Sequence, residues 1–371
     1  MMSVRMFQAP LYIQVRWQSV RAAMKERKIT GLLVSYFPDV SYLTGFEGDD
    51  SWALLTPDRI WLVSDSRYRQ QIERECPWVR TVIRRKGLAE EIIRLARRAG
   101  IIRLGVQAEN LTLRQHQAIR KLTGSERIRP RPVEDMIVGF RNIKDEHEIG
   151  LIERSLAIAE RSFEALKTRL RVGMTENDIA GLLVYEMRRR GAANAAFDPI
   201  VAAGSNGSLP HYRPDSVKLQ NNVPILVDWG AQFKGYRCDL TRMIFIGRVS
   251  EKIKEIYQVV LAAQMAAIAA IRPGRTGRQI DQIARRIIAK AGYAKAFEHS
   301  LGHGIGRDIH EQLSLSPRSK VILQPGMVLT VEPGIYLPGL GGVRIEDDVL
   351  VTPTGHRVLS HLPKDLDSAR I

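Results

Sequence analysis

A pattern near residue 171 returns 101 positions later, and this repeat constrains the fold more than any other feature of the chain. Arg171-Val172-Gly173-Met174-Thr175, with Ile179 and Gly191, is echoed by Arg272-Pro273-Gly274-Arg275-Thr276, with Ile280 and Gly292, at a constant offset of 101. Thr175 and Thr276 are each placed to cap a helix, with Asp178 or Gln279 three residues on as the reciprocal partner. Capping explains the residues, but it does not explain the offset. The pattern predicts a duplicated domain. Each half supplies a long helix (the first over residues 144–170), a capped helix and then antiparallel strands, and the halves close with pseudo-twofold symmetry.

The strands of the first half can be read in detail. Residues 225–245 form two strand-like segments around Lys234-Gly235, a tight-turn signal. A two-residue turn makes the numbers of cross-strand partners sum to 469, so Asp228 faces Thr241 and Asp239 lies one diagonal step away on the same face. Diagonal neighbours lie roughly 7–8 Å apart, close enough for both carboxylates to reach one ion.

The second half has carboxylates of its own. Alternation over Val328-Leu329-Thr330-Val331-Glu332 puts Thr330 and Glu332 on one face, and over residues 342–351 it pairs Arg344 with Glu346 against Val343, Ile345 and Asp347. Between the halves, Glu298-His299-Ser300-Leu301-Gly302-His303-Gly304-Ile305-Gly306 reads as a glycine-rich loop presenting His303. Four carboxylates inside apolar strands would protonate or need cations. Two divalent ions balance four carboxylates, and an oxygen-rich set with one imidazole suits Mn²⁺, Co²⁺, Fe²⁺ or Zn²⁺ rather than a structural zinc.

The first third of the chain alternates helix and strand patterns, which predicts an α/β domain of scaffold character. Arg127-Ile128-Arg129-Pro130-Arg131-Pro132 reads as a proline-punctuated connector, with domains over 1–135 and 136–371. The net charge of +16 invites a nucleic-acid reading, but the basic residues come in short runs without interleaved aromatics. No specific nucleic-acid partner is expected. Cys76 and Cys238 form neither a disulfide scaffold nor a thiolate site. No apolar run approaches the ~18 residues of a membrane span, and Met1-Met2-Ser3-Val4-Arg5-Met6 lacks a long apolar leader core, so a cytoplasmic location is expected.

Asp228, Asp239, His303, Glu332 and Glu346 stand in Val227-Asp228-Trp229-Gly230, Cys238-Asp239-Leu240-Thr241-Arg242, Gly302-His303-Gly304-Ile305-Gly306, Val331-Glu332-Pro333-Gly334 and Arg344-Ile345-Glu346-Asp347-Asp348. In these settings they resemble the five ligands of the pita-bread metallopeptidases. Within that family the chain is most similar to the Xaa-Pro peptidases, the aminopeptidase P and prolidase group. Tyr42-Leu43-Thr44-Gly45-Phe46, Ser64-Asp65-Ser66-Arg67-Tyr68 and Arg141-Asn142-Ile143-Lys144-Asp145-Glu146 extend the likeness to nearly the whole chain.

The resemblance implies a creatinase/prolidase-like α/β amino-terminal domain and an α+β pita-bread domain. It also implies two divalent ions per chain, Mn²⁺ first, with Asp239 and Glu346 bridging, Asp228 on one metal, and His303 and Glu332 on the other. A hydroxide held by the ions would be the nucleophile, and Glu332 would pass its proton to the leaving prolyl nitrogen. His211 and His310 match positions that contact the scissile carbonyl and amide, and His299 matches one lining the pocket. Arg344 and Tyr336 match residues that hold Asp228 in place.

The implied substrates are peptides with proline in second position, cleaved by an Xaa-Pro aminopeptidase or, alternatively, by a prolidase restricted to dipeptides. A homodimer through the amino-terminal domain is also implied. Leu313 and Arg307 depart from the family's pattern and are expected on the substrate side. A metal-free binding module or a creatinase-like amidinohydrolase would be expected to lack part of the ligand set, and no ligand is missing here.

Overall fold

The computed structural model describes residues 8–124 and 127–371. The reading of Met1–Met6 falls outside the described residues. The chain divides between Arg141 and Asn142 into two compact units.

The first unit runs α1 (Leu11–Glu26), β1 (Gly31–Val34), α2 (Phe37–Thr44), β2 (Ser51–Leu55), β3 (Ile60–Ser64), α3 (Arg69–Glu75), β4 (Arg80–Ile83), α4 (Leu88–Arg98), β5 (Arg103–Gln107), α5 (Leu113–Thr123), β6 (Arg129–Val133) and α6 (Val138–Arg141). One six-stranded sheet has the order β4-β3-β2-β1-β5-β6. Leu32 and Val34 pack into a cluster on one face, and Leu33 between them packs with Val63, Ile92 and Leu104 on the other. Period-two alternation thus yields a sheet buried on both sides, as an α/β domain requires.

The segment read as a connector is in fact the edge strand β6. Arg129 N–H donates to the Ile102 carbonyl at 2.7 Å, and register pairs Arg129 with Arg103 through to Val133 with Gln107. Pro130 and Pro132 alternate with these residues, at positions whose missing N–H would point away from the sheet. A proline is tolerated on an edge for that reason. Proline content therefore hid a strand.

The second unit contains α7 (Glu146–Arg169), α8 (Glu176–Arg189), β7 (Asn194–Ala195), β8 (Ile200–Ala203), β9 (Pro224–Trp229), β10 (Ala231–Phe233), β11 (Tyr236–Arg237), β12 (Leu240–Phe245), α9 (Glu251–Ala269), α10 (Gly277–Lys290), β13 (Gly302–Gly304), β14 (Glu311–Leu315), β15 (Val328–Val331), β16 (Gly334–Leu337), β17 (Gly341–Arg344), β18 (Asp347–Val351) and β19 (His356–Val358). The duplication is visible in its parts. Thr175 and Asp178 exchange backbone-to-side-chain hydrogen bonds at 2.8 and 3.1 Å, and Thr276 and Gln279 do so at 2.9 and 3.2 Å. Each cap threonine also bridges a later segment, Thr175 to Lys218 and Thr276 to Ile322. The helix pair α7–α8 packs in one core cluster and α9–α10 in the other.

The 225–245 segment folds as the spacing predicts. Lys234 and Gly235 both have positive φ, 45° and 76°, the signature of a type I′ turn. Phe233 pairs with Tyr236, Leu240 with Trp229 and Thr241 with Asp228. The ladder breaks at Gly230, where a Cβ would lie 1.9 Å from the Cys238 carbonyl oxygen. The halves of the hairpin therefore belong to two three-stranded sheets, β11-β10-β7 and β12-β9-β8. Cys238 is fully buried.

Candidate metal centre

The second hairpin breaks as the first does. β15 stops at Val331 and β16 resumes at Gly334, while β17 stops at Arg344 and β18 resumes at Asp347. Glu332 and Glu346 occupy these breaks. Asp228 is the last residue but one of β9, which stops before Gly230, and Asp239 sits between β11 and β12. Each carboxylate is thus carried at or next to an interrupted ladder, where the backbone turns its side chains toward a common centre. Glu346 N–H donates to the Thr241 carbonyl at 3.2 Å and Asp239 N–H to the Asp348 carboxylate at 3.2 Å, so the two hairpins are stitched together at their breaks.

His303 enters from β13. Backbone crowding places it, since a Cβ at Gly302 would meet the Thr330 carbonyl oxygen at 1.9 Å. Its Nδ1 lies 3.1 Å from the Gly304 carbonyl, which can only accept, so Nδ1 carries the proton. Burial, the largest influence, lowers the imidazole pKa to about 4, and the ring is neutral. Nε2 is therefore a bare acceptor, yet it faces Glu332 Oε1 at 3.4 Å and Asp239 Oδ2 at 3.6 Å. One donor atom each from Asp239, His303 and Glu346 lies within 4.8 Å of the others. Lone pairs aimed at lone pairs call for a cation or a proton between them.

The acid–base behaviour agrees. Asp239 is raised well above the usual carboxylate range, first by burial and then by Glu346, Asp228 and Glu332. Glu346 is raised well above its ordinary value by burial, Glu332 and Asp228. Glu332 is pushed up to about 8, mainly by burial and against the opposing charge of Arg344. Oδ1 of Asp228 and Oδ1 of Asp239 are buried without a donor. These residues fit divalent cations: the set is oxygen-rich, has one imidazole, and its charged form is costly without a counter-ion.

A hydrogen-bonded frame holds the ligands. Arg344 donates to Asp228 Oδ2 at 2.6 Å, to the Tyr336 hydroxyl at 2.8 Å and to Thr241 Oγ1 at 3.0 Å. Thr241 Oγ1 donates in turn to Glu346 Oε2 at 2.7 Å. The Tyr336 hydroxyl lies 2.9 Å from His299 Nε2, whose Nδ1 faces the Ser300 carbonyl at 2.8 Å, so the phenol donates to the imidazole. Burial pushes Tyr336 up to about 12 and His299 down to about 4, which keeps both neutral.

All five predicted ligands line one cavity of about 510 Å³, together with His211, His299, His310 and Arg344. Tyr336 stands behind that wall. The His310 ring lies 4.5 Å from that of His303 and its pKa is lowered, first by burial and then by His211. Sequence reasoning missed Thr241, whose hydroxyl joins Arg344 to Glu346. Its only signal was its position opposite Asp228. It also missed Asp347, buried and held by Arg242 at 2.7 Å, Lys364 at 2.5 Å and Gln264 at 2.8 Å, which tie residue 364 behind the strand carrying Glu346.

Two expectations are corrected. Leu313 is 3% exposed within a core cluster, and Arg307 is 5% exposed with its guanidinium over the Tyr236 ring. Neither lines the cavity; at 313 that place falls to the neighbouring Ser314. Alternation along β14 turns Leu313 inward.

Residues 150–353 match metallopeptidase family M24, and residues 16–143 match the creatinase/prolidase N-terminal domain. The chain belongs to metallopeptidase family M24, whose members work with divalent metals. A Xaa-Pro dipeptidase of Pyrococcus horikoshii is 41% identical over 234 residues, 63% of this chain and 67% of that protein. The solved Xaa-Pro dipeptidase from Bacillus anthracis has a TM-score of 0.91 at 35% identity, covering 95% of this chain and 99% of that one. The X-Pro aminopeptidase from Thermotoga maritima MSB8 has a TM-score of 0.87 at 35% identity, covering 92% and 98%. Among the described residues, no helix is long and apolar enough to cross a membrane.

Proposed function

We propose that this metallopeptidase hydrolyses the bond between an amino-terminal residue and a following proline. The observation that carries the reading is the bare Nε2 of His303 facing Glu332 and Asp239, at the floor of a cavity large enough for a short peptide. Relatives named Xaa-Pro dipeptidase and X-Pro aminopeptidase, alike over nearly the whole chain, support the substrate class.

In this reading Asp239, Glu346, Asp228, His303 and Glu332 would together hold two divalent cations, Mn²⁺ first. The cations supply Lewis acidity, which polarises the scissile carbonyl and brings the pKa of water toward neutrality. Glu332 takes a proton on its carboxylate and delivers it to the prolyl nitrogen. That nitrogen belongs to a tertiary amide and leaves only once protonated. His211 and His310 hydrogen-bond the substrate amide and carbonyl. Arg344 and Tyr336 keep Asp228 aligned, and Thr241 keeps Glu346 aligned. The amino-terminal unit makes a homodimer, which light scattering on the purified protein would check.

Elemental analysis after loading with Mn²⁺ or Co²⁺, with hydrolysis of Leu-Pro and Leu-Pro-Ala before and after chelation, tests the proposal. About two ions per chain and activity lost to chelator are expected. Full hydrolysis by metal-stripped protein would sink the mechanism.

A further inference from the structure

Glu346 and Asp239 are held through their backbones as well as through their side chains. Glu346 N–H donates to the Thr241 carbonyl at 3.2 Å, and the Glu346 carbonyl accepts from Arg242 Nη1 at 2.5 Å. Arg242 Nη1 also donates to the Thr241 carbonyl at 3.0 Å. Residues 241 and 242 thus grip residue 346 at both of its backbone polar groups. A side chain follows the backbone that carries it, so this grip aims the Glu346 carboxylate.

Arg242 is 3% exposed, and all five N–H donors of its guanidinium have an acceptor. Beyond the two carbonyls above, Nε donates to the Pro363 carbonyl at 3.2 Å, and Nη2 donates to the Leu362 carbonyl at 2.8 Å and to Asp347 Oδ1 at 2.7 Å. Asp347 is buried and follows Glu346 directly in the chain. Its Oδ1 also accepts from Ser360 at 2.9 Å, and its Oδ2 accepts from Gln264 at 2.8 Å and from Lys364 Nζ at 2.5 Å. Two cations therefore face one buried carboxylate, Arg242 from the first hairpin and Lys364 from residues 359–364. The same segment reaches Asp239. Asp239 N–H donates to Asp348 Oδ2 at 3.2 Å, Asp348 N–H donates to Ser360 Oγ at 3.2 Å, and Leu359 N–H donates to the Asp348 carbonyl at 2.8 Å. Arg242, Asp347, Ser360 and Lys364 stand behind the cavity wall rather than on it.

The segment is anchored on the far side of Lys364 too. The Tyr257 hydroxyl donates to the Lys364 carbonyl at 3.0 Å. Phe245 N–H donates to the Ala369 carbonyl at 2.8 Å, and Ile371 N–H donates to the Phe245 carbonyl at 3.1 Å, along the edge of the β12-β9-β8 sheet. A lysine carried on a fixed backbone has less freedom to lose when its ammonium meets Asp347. Without that ammonium, Arg242 is the cation left to compensate a buried carboxylate, and a guanidinium binds a carboxylate more strongly than a neutral carbonyl. The bond from Arg242 to the Glu346 carbonyl is then the one that gives.

We propose that Lys364, acting through Asp347 and Arg242, is a positioning residue for Glu346 and sets how tightly the centre holds metal. This rests on the metal reading above and adds to it a residue that touches neither metal nor substrate. Hydrogen-bond partners behind a metal ligand are typically worth about ten- to a hundredfold in metal affinity.

The test titrates Mn²⁺ calorimetrically into the metal-stripped full chain and into its Lys364→Met, Lys364→Arg, Ser360→Ala and Lys167→Met variants. Lys364→Met keeps the length of the side chain and should weaken Mn²⁺ binding about ten- to a hundredfold. Lys364→Arg should recover most of the loss, because it restores the charge. Ser360→Ala is the smaller change, carries the same prediction should Lys364→Met not fold, and should weaken binding by less. Lys167 donates to the Ser368 carbonyl at 2.9 Å and so anchors the same segment away from Asp347. Lys167→Met should lower the urea midpoint yet leave Mn²⁺ affinity within about twofold of wild type. Wild-type affinity in Lys364→Met, or in Ser360→Ala if that is the variant that folds, overturns the assignment. Equal weakening in Lys167→Met also overturns it, by making the segment a general support. If the wild-type chain binds neither Mn²⁺ nor Co²⁺, the metal reading is what fails, and hydrogen exchange on the metal-free chain then decides the positioning. Faster exchange over residues 239–242 and 344–348 in Lys364→Met than in Lys167→Met upholds it, and equal exchange refutes it.

Discussion

The two hairpins of the second unit hold similar carboxylates in different registers. In the first, partners sum to 469, so Asp228 lies opposite Thr241 and Asp239 opposite Gly230. In the second, Val331 pairs with Asp347 and Gly334 with Arg344; the shared sum of 678 puts Glu332 directly opposite Glu346. Like charges directly opposite are unfavourable. The first hairpin avoids this by a diagonal placement and short side chains, whereas the second cannot pair its carboxylates without a cation or a proton. The ligands are also held reciprocally: Arg344 of the second hairpin fixes Asp228 of the first, and Thr241 of the first fixes Glu346 of the second. Asp228 and Glu346 are thus each held from the opposite half, so this frame exists only once the halves have docked.

The strongest challenge to this comparison is to remove one carboxylate oxygen from each side. Asp239→Asn and Glu346→Gln should each lower kcat/KM on the order of a thousandfold or more, with circular dichroism unchanged. A large loss in only one of them would show that the hairpins do not contribute equally. Gly230→Ala comes next, because the new methyl meets a backbone carbonyl 1.9 Å away that cannot move aside. It should cost about 3 kcal/mol or more in urea unfolding. The second hairpin breaks at Pro333 instead, and a Cβ on the adjoining Gly334 would first meet the Tyr336 side chain rather than backbone.

Thr241→Val removes the 2.7 Å bond to Glu346 and should reduce activity or metal affinity about ten- to a hundredfold. Thr330→Val removes a 3.2 Å bond to the more exposed Glu332 and should do less. Equal effects would undercut the reciprocal account.

Metal-free protein should reveal the face-to-face glutamates through pH. The folded-state pKa of Glu332 is raised to about 8, above its unfolded value, so its contribution to stability is present at low pH and lost as pH rises through about 8. Between the ordinary value of 4.5 and about 8, the window set by that shift, the melting temperature of the stripped protein should fall as pH rises. That of the metal-loaded protein should not, and parallel curves would contradict the reading. The smallest effect is at the turn: Lys234 adopts φ 45° without being glycine, and Lys234→Asn should stabilise the first hairpin by about 0.5 kcal/mol. No change in the denaturation midpoint would mean that the turn carries no strain.

Much of this was legible before any coordinates. The Lys234-Gly235 turn, the register it imposes, the capped helices of the repeat and the faces carrying Glu332 and Glu346 follow from rules acting between residues a few positions apart. The five residues expected as ligands and the three further histidines line one cavity. What escaped was of another kind. β6 was concealed because its prolines are permitted only by an edge position, and edge positions belong to the assembled sheet. Arg307 and Leu313 turned inward because neighbours distant in sequence offered an aromatic ring and a core.

The sequence alone determined the duplication, the hairpins and the residue types at the centre, since turn conformation, period-two alternation and helix capping are local. Tertiary structure decided which oxygen meets which donor. Arg344 and Asp228 are 116 residues apart and Thr241 and Glu346 are 105 apart, so those bonds depend on the docking of the two halves. It also decided that Lys364, one of 56 basic residues, is spent on the buried Asp347 beside Glu346. Charge can be counted along a chain, but whether a charge is already spent depends on what folding brings beside it.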